Sequence, residues 1–292
     1  MRRQLFLASV GAIALTGSAF AADLAPPPPA YVPPAPYSWT GLYLGGQIGY
    51  AWGNDPAHTT FFAPGTPGTP GTPGTAAVVG DGVILTPAVP GTPGTPGIPA
   101  VFLNDSVSNS PQGVIGGAHI GYNLQINQWV AGLEGTVDGT SISRNVFDPF
   151  TGLTLSTRAG VQGSIRARAG VAWDRFLIYA TGGGAFTGIS DGYIDTTGFI
   201  TGLPGVSERI TKTRAGWTVG GGLEYAITDN WSVRAEYRYS DFGHYTDYPF
   251  VAFVIPPFTS SLTVQHHLTE NQVQAGFSYK FGAAPAPVVA KY

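Results

Sequence analysis

From Leu155 to Trp173 the chain keeps one pattern. Leu155, Thr157, Ala159, Val161, Gly163, Ile165, Ala167, Ala169, Val171 and Trp173 are apolar or small, while Ser156, Arg158, Gly160, Gln162, Ser164, Arg166, Arg168, Gly170, Ala172 and Asp174 form the more polar parity. A period of two belongs to a strand with two unlike faces. On this reading the parity changes nowhere, so Arg158, Arg166 and Arg168 all point to one side.

The same alternation recurs in shorter runs. Trp39 to Gly53 reads as the first strand, Val114 to Ile126 as the second, and Trp129 to Asp138 as the third. After the long fourth run come Phe176 to Gly188, Lys212 to Ile227, Trp231 to Tyr239, and a last strand beginning near Ser261 and ending at Phe281. The fifth run is apolar on both parities, which leaves its register open. The connections alternate between long (54 to 112, 142 to 153, 189 to 210, 243 to 260) and short (126 to 128, 174 to 175, 228 to 230). That rhythm predicts an all-β, eight-stranded antiparallel transmembrane up-and-down β-barrel, with short periplasmic turns and long external loops.

The N-terminus predicts export. Met1-Arg2-Arg3, an apolar run from Leu5 to Leu15 and Ala19-Phe20-Ala21 read as a signal peptide over 1–21. Its removal takes the formal charge from -3 to -5, which argues against a nucleic-acid partner. Cysteine is absent and charged residues make up only 11 % of the chain, less than half the usual share. No later segment has the length of unbroken apolar sequence that a membrane helix needs. In hydrocarbon this leaves strands as the spanning element. Residues 22–38, with Pro26 to Pro29, Pro33, Pro34 and Pro36, read as an extended periplasmic segment.

On the polar parity, Glu134, Asp138, Arg158, Arg166, Arg168, Asp174, Glu224, Arg234, Glu236, Arg238 and Lys280 are expected to form a lumen ion-pair network. Buried charges require such pairing, and the glycines among them leave room for long side chains. Either a structural plug or a conduction path would have this composition. On the other parity, Trp39, Trp52, Trp129, Trp173, Trp231, Tyr225, Tyr237 and Tyr239 are expected to form aromatic girdles at the headgroup level.

The first long connection has no Lys or Arg, and two blocks of G-T-P triplets, Pro64 to Gly74 and Pro90 to Pro99, flank a candidate hairpin at Ala76 to Pro90. The blocks are too short for a collagen triple helix and read as a low-complexity external insertion. No P-loop, dinucleotide fingerprint, H-E-x-x-H or nucleophile elbow occurs, so neither an enzyme nor a cofactor is expected. His266, His267 and His244 are candidates for touching haem or a metal from the outer loops; the adjacent pair is no chelate by itself, because neighbouring strand residues face opposite sides.

Four segments carry a family resemblance: Trp39-Thr40-Gly41-Leu42-Tyr43-Leu44-Gly45-Gly46, Gly117-Ala118-His119-Ile120-Gly121-Tyr122-Asn123, Arg166-Ala167-Arg168-Ala169-Gly170 and Gly276-Phe277-Ser278-Tyr279-Lys280-Phe281. The chain resembles the alphaproteobacterial OmpA-like outer-membrane β-barrel proteins, the RopB-type surface and immunogenic family that includes haemin-binding members. The likeness covers 39 to 281 except the first loop. It implies the barrel fold and no shared catalytic residues. It also implies a terminal aromatic residue, here Phe281, as the signal read by the barrel assembly machinery, although eleven residues follow it.

The expected organisation is therefore a signal peptide (1–21), a Pro-rich periplasmic segment (22–38), a transmembrane barrel (39–281) with its external loop (54–112), and a tail (282–292). The expected role is that of an outer-membrane surface protein serving envelope integrity or surface interaction, in contact with lipid, lipopolysaccharide and external host or envelope partners. A small diffusion porin and a haem- or host-factor-binding receptor are the alternatives. Long loops would be extracellular and the termini periplasmic.

Overall fold

The computed structural model describes residues 37–76, 78–80, 83–86, 88–251 and 261–282. The signal peptide, most of the Pro-rich segment and nearly all of the tail lie outside the described residues.

The strands are β1 (Gly41–Ala63), β2 (Val78–Gly80), β3 (Val83–Thr86), β4 (Val101–Asn109), β5 (Gln112–Ile126), β6 (Trp129–Thr140), β7 (Ser143–Asp148), β8 (Leu153–Trp173), β9 (Phe176–Asp195), β10 (Val206–Ala226), β11 (Trp231–Asp247) and β12 (Ser261–Lys280). Ten of them form one antiparallel sheet in the order β4-β1-β12-β11-β10-β9-β8-β6-β5-β7, and β2 pairs with β3 alone. The expected plain eight-stranded up-and-down barrel is therefore corrected to a ten-stranded sheet. The two additional strands come from segments read as free loops. β4 pairs with the outer half of β1 from Asp55 to Ala63, and β7 pairs with β8 from Leu153 to Arg158. The inner half of β1, Gly41 to Trp52, pairs with β5, and β1 also pairs with β12.

One face of the sheet is apolar and exposed: Leu133, Val137, Val161 and Ile165 each leave more than 60 % of their surface open, with Val219, Leu223, Val273 and Phe277 beside them. Large residues repeated over so many strands make a surface suited to lipid rather than water. The opposite face is polar and buried. A β12 of 20 residues is about 66 Å long at ~3.3 Å per residue, whereas crossing a bilayer takes about 9–11. The strands thus extend far beyond the hydrocarbon layer.

The unbroken parity expected for β8 is also corrected. Its register with β9 shifts between Ala159 and Gln162. An inserted residue at a bulge moves every side chain beyond it to the other face. Arg158 is consequently exposed, while Leu153, Leu155, Thr157 and Ala159 turn inward.

The G-T-P blocks pair with each other. Thr66, Thr69, Thr72 and Thr75 bridge to Ile98, Thr95, Thr92 and Val89. A Cβ on Gly68 would collide with the Thr95 carbonyl and lie 2.7 Å from Gly97 N, and the other block glycines face the opposite chain in the same way. Glycine at every third position lets the two backbone segments approach, so the low-complexity blocks form a two-stranded rod, exposed along its length and continuing from β1 and β4. The hairpin expected between them is the β2–β3 pair.

Candidate functional site

The interior is filled in layers, each set by residues of one parity on several strands. The layer at the short-turn end holds Tyr37, Trp39, Val130, Ala172, Leu177, Tyr179 and Ala226. Trp39 donates its indole N–H to the Asp174 carbonyl (3.1 Å), and its backbone N–H to Gln125 Oε1 (2.8 Å). Burial, with Glu224 next, pushes the Tyr37 phenol up to about 12, so it stays neutral. The cavity left here, between Tyr37, Trp39, Tyr43 and Glu224, is about 10 Å³, room for one water.

Next comes the charged layer. Arg166 reaches Glu134 through Nη2 and Glu236 through Nη1, both at 2.5 Å. Arg234 takes the other oxygen of Glu134 at 2.6 Å, Arg168 pairs with Glu224, and Arg238 bonds Glu236 at 3.0 Å with Asp138 at 3.9 Å. Four guanidiniums thus face four carboxylates. Remaining lone pairs accept from neutral groups: Tyr43 donates to Glu134 (2.9 Å), Tyr179 to Glu236 (3.0 Å), Ser232 to Glu224 (2.5 Å) and Gln47 to Asp138 (2.6 Å). The Arg168 guanidinium also lies 3.7 Å from the Tyr179 ring centre. Arginine suits this layer because its planar fork serves two acceptors at once. Arg166 is 0 % exposed and Glu134, Arg168 and Gln272 are 2 % exposed, as expected of a filled interior rather than a water-lined bore.

Eight of the eleven residues expected in this network come together: Glu134, Asp138, Arg166, Arg168, Glu224, Arg234, Glu236 and Arg238. Three do not. The β8 bulge turns Arg158 outward. Asp174 sits in the tight turn with φ 51° and binds the Tyr37 backbone N–H (3.2 Å), while the Lys280 ammonium lies 4.1 Å from the Tyr37 ring centre. Sequence reasoning missed Tyr43, Gln47, His119, Gln162, Tyr179, Glu270 and Gln272. Their signal was the shared inward parity of β1, β5, β8, β9 and β12. Gln162 donates to Glu270 at 2.6 Å, and His119 joins Gln47 to Ser278.

Among the girdle candidates, Trp39 is corrected: at 2 % exposure it belongs to the interior, because it precedes β1 and folds beneath the sheet end. Trp52, Trp129, Trp173, Trp231, Tyr225 and Tyr237 are exposed, and Tyr239 meets Trp217 at 5.5 Å on the outer face. Phe281 is exposed too, its N–H held by the Leu42 carbonyl at 2.8 Å. The histidines divide: His244 and His267 stack outside with centroids 3.9 Å apart, whereas His266 is buried inside. The three candidates for touching haem or a metal therefore lie on opposite faces of the sheet.

Farther out, Asp55, Asp191, Asp247 and His266 converge, and above them Phe61, Leu155, Ile200, Phe250, Leu262 and Val264 form an apolar outer layer.

Residues 11–281 match the family described as "Outer membrane protein beta-barrel domain". The "31 kDa outer-membrane immunogenic protein" of Brucella melitensis biotype 1 is 31 % identical over 252 residues, 82 % of this chain and 88 % of its own. The "25 kDa outer-membrane immunogenic protein" of Brucella abortus biovar 1 is 28 % identical over 285 residues, covering 96 % and 98 %. The "22 kDa outer membrane protein" of Rhizobium leguminosarum bv. viciae is 30 % identical over 163 residues, covering 55 % and 63 %. The chain belongs to this outer-membrane protein family, alongside the Brucella immunogenic proteins, and is a protein of the outer membrane.

Proposed function

We propose that this is a plugged, non-conducting surface protein: its lower strands anchor it in the outer membrane, and its outer halves and G-T-P rod are displayed outside. The observation that carries this reading is the buried layer in which four arginines pair with four carboxylates, between apolar layers. An ion crossing it would have to separate pairs that are costly to leave unpartnered, which argues against the diffusion-porin alternative.

Orientation follows from the loops. Short turns carrying Trp129, Trp173 and Trp231 lie at the end where Tyr37 and Trp39 enter, which supports a periplasmic face there. Those tryptophans with Tyr225 would contact lipid headgroups at that rim, and Trp52, Tyr237 and Tyr239 would lie farther toward the outside. Phe281, at the end of β12, serves in this reading as the element recognised during assembly, and lipopolysaccharide surrounds the outer rim. The rod, uncharged and rich in exposed threonine, is the surface offered to external partners; the relatives' designation as immunogenic accords with display outside the cell.

The chain has no cysteine, so one introduced thiol reports cleanly. Thr72→Cys on intact cells is expected to react with a membrane-impermeant maleimide as fully as after lysis. Labelling only after lysis would reverse the orientation.

A further inference from the structure

We propose that Asp191, Asp247 and His266 form a binding site for one divalent cation, Zn²⁺ or Mn²⁺, with Asp55 orienting the imidazole and Asn109 Oδ1 supplying a further oxygen. The three side chains come from β9, β11 and β12, and one ligand atom of each lies within 4.8 Å of the others, all three residues being buried. The Tyr193 hydroxyl is 2.9 Å from both His266 Nε2 and Asp247 Oδ2 and donates to the latter, so its oxygen sits at the point these atoms face, and a bound cation would displace it or share it as a ligand.

The second ring nitrogen carries the next part of the argument. His266 Nδ1 lies 3.1 Å from both Asp55 oxygens. Donation from Nδ1–H to a carboxylate is the arrangement usual around metal-bound histidine, and it leaves Nε2, which otherwise faces the Tyr193 hydroxyl, as the atom a metal would take. Asp55 itself is 0 % exposed on β1.

An independent observation comes from Asn109. It is 1 % exposed, stands directly across the ladder from Asp55, and its Oδ1 has no hydrogen-bond partner among the described residues. Its amide orientation is fixed by a chain of donors: Asn109 Nδ2 donates to Thr157 Oγ1 (2.9 Å), whose own proton goes to Asp191 Oδ1 (3.0 Å). A flipped amide would set its oxygen against a hydroxyl already committed elsewhere. The free oxygen is therefore a buried acceptor, on a side chain linked through Thr157 to Asp191 and paired across the ladder with Asp55, and a cation held by the neighbouring ligands would satisfy it.

Charge points the same way. Asp191 accepts only from the Thr157 and Tyr245 hydroxyls, at 3.0 and 3.2 Å, and forms no salt bridge among the described residues. Asp247 is bonded by Lys212 at 2.9 Å through one oxygen, and Arg214 stands 3.9 Å away. A buried carboxylate without a counter-ion is costly, and a bound cation would offset that cost. One imidazole among oxygens suits Zn²⁺ or Mn²⁺ better than Ca²⁺. Lys212, with its side chain 45 % exposed, marks where the site comes nearest to solvent.

The test uses the refolded full chain in detergent, stripped with a chelator and dialysed against ZnCl₂ or MnCl₂, with CaCl₂ for comparison. Metal per chain is then measured by mass spectrometry. About one Zn²⁺ or Mn²⁺ per chain is expected, with a raised urea midpoint. Asp55→Asn should weaken binding about 10- to 100-fold, and Asp191→Asn should abolish it. The double change His244→Ala/His267→Ala, which removes the exposed stacked pair, should leave it intact. Absence of bound metal, binding lost only with the exposed pair, or binding unchanged in Asp191→Asn and Asp55→Asn would overturn the proposal. Should Asp191→Asn fail to fold, the wild-type midpoint decides: no rise with either metal contradicts the site.

Discussion

Arg166→Ala is expected to cost the folded protein about 3–5 kcal/mol, because it strips the shared partner from two buried carboxylates. Glu134 retains Arg234 and Tyr43, and Glu236 retains Arg238 and Tyr179, yet the four-to-four balance becomes three to four. The Thr181 hydroxyl loses its donor at 3.1 Å as well. Arg166→Lys keeps the charge but offers no fork for two acceptors, so an intermediate loss is expected. Urea unfolding in detergent micelles reads both. A loss below about 1 kcal/mol for Arg166→Ala, the range of exposed pairs, would show that the layer is not a dry, coupled network.

Gly183→Val should be severely damaging although the position bears no charge. Gly183 lies opposite Arg166 on the neighbouring strand, and a Cβ there would run into the Ile165 carbonyl and come within 2.7 Å of Arg166 Cα. Both are backbone atoms of a paired strand and cannot move aside without breaking the ladder. Overpacking of this kind costs about 1–3 kcal/mol where side chains can yield, and more is expected here. The measurement is heat-modifiable gel migration after refolding. Wild type should shift between folded and unfolded bands, while Gly183→Val should run only as unfolded. Gly160→Ala, at a strand glycine with open space around its Cβ position and no left-handed φ, serves as the comparison and should keep the folded band.

These two sites also show what the sequence disclosed. Arg166, Arg168, Glu134, Arg234 and Glu236 were readable because period-two alternation fixes the face of a residue wherever one parity is apolar. The β8 bulge was hidden for the same reason: Ala159, Gly160 and Val161 are small or apolar on both parities, so a slip of one leaves no compositional trace. β9 is similar, since its inward positions opposite the arginines must be small. Thr181, Gly183 and Ala185 therefore look no more polar than Ile178, Ala180 and Gly182 on the other side. The outer half of β1 was masked by Asn54-Asp55-Pro56, which reads as a turn. The ladder to β12 skips 55 to 57, and the strand continues past the proline with β4 as its other neighbour. The Asp55, Asp191 and His266 cluster joins residues far apart in the chain, and only the registers bring them together.

In the proposed function the charged layer closes the interior to ions. The direct measurement is single-channel recording of the refolded chain in planar lipid bilayers, with insertion verified by protease protection. A flat baseline is expected for wild type, without discrete ohmic steps. Uniform ohmic steps from the wild-type chain would contradict it.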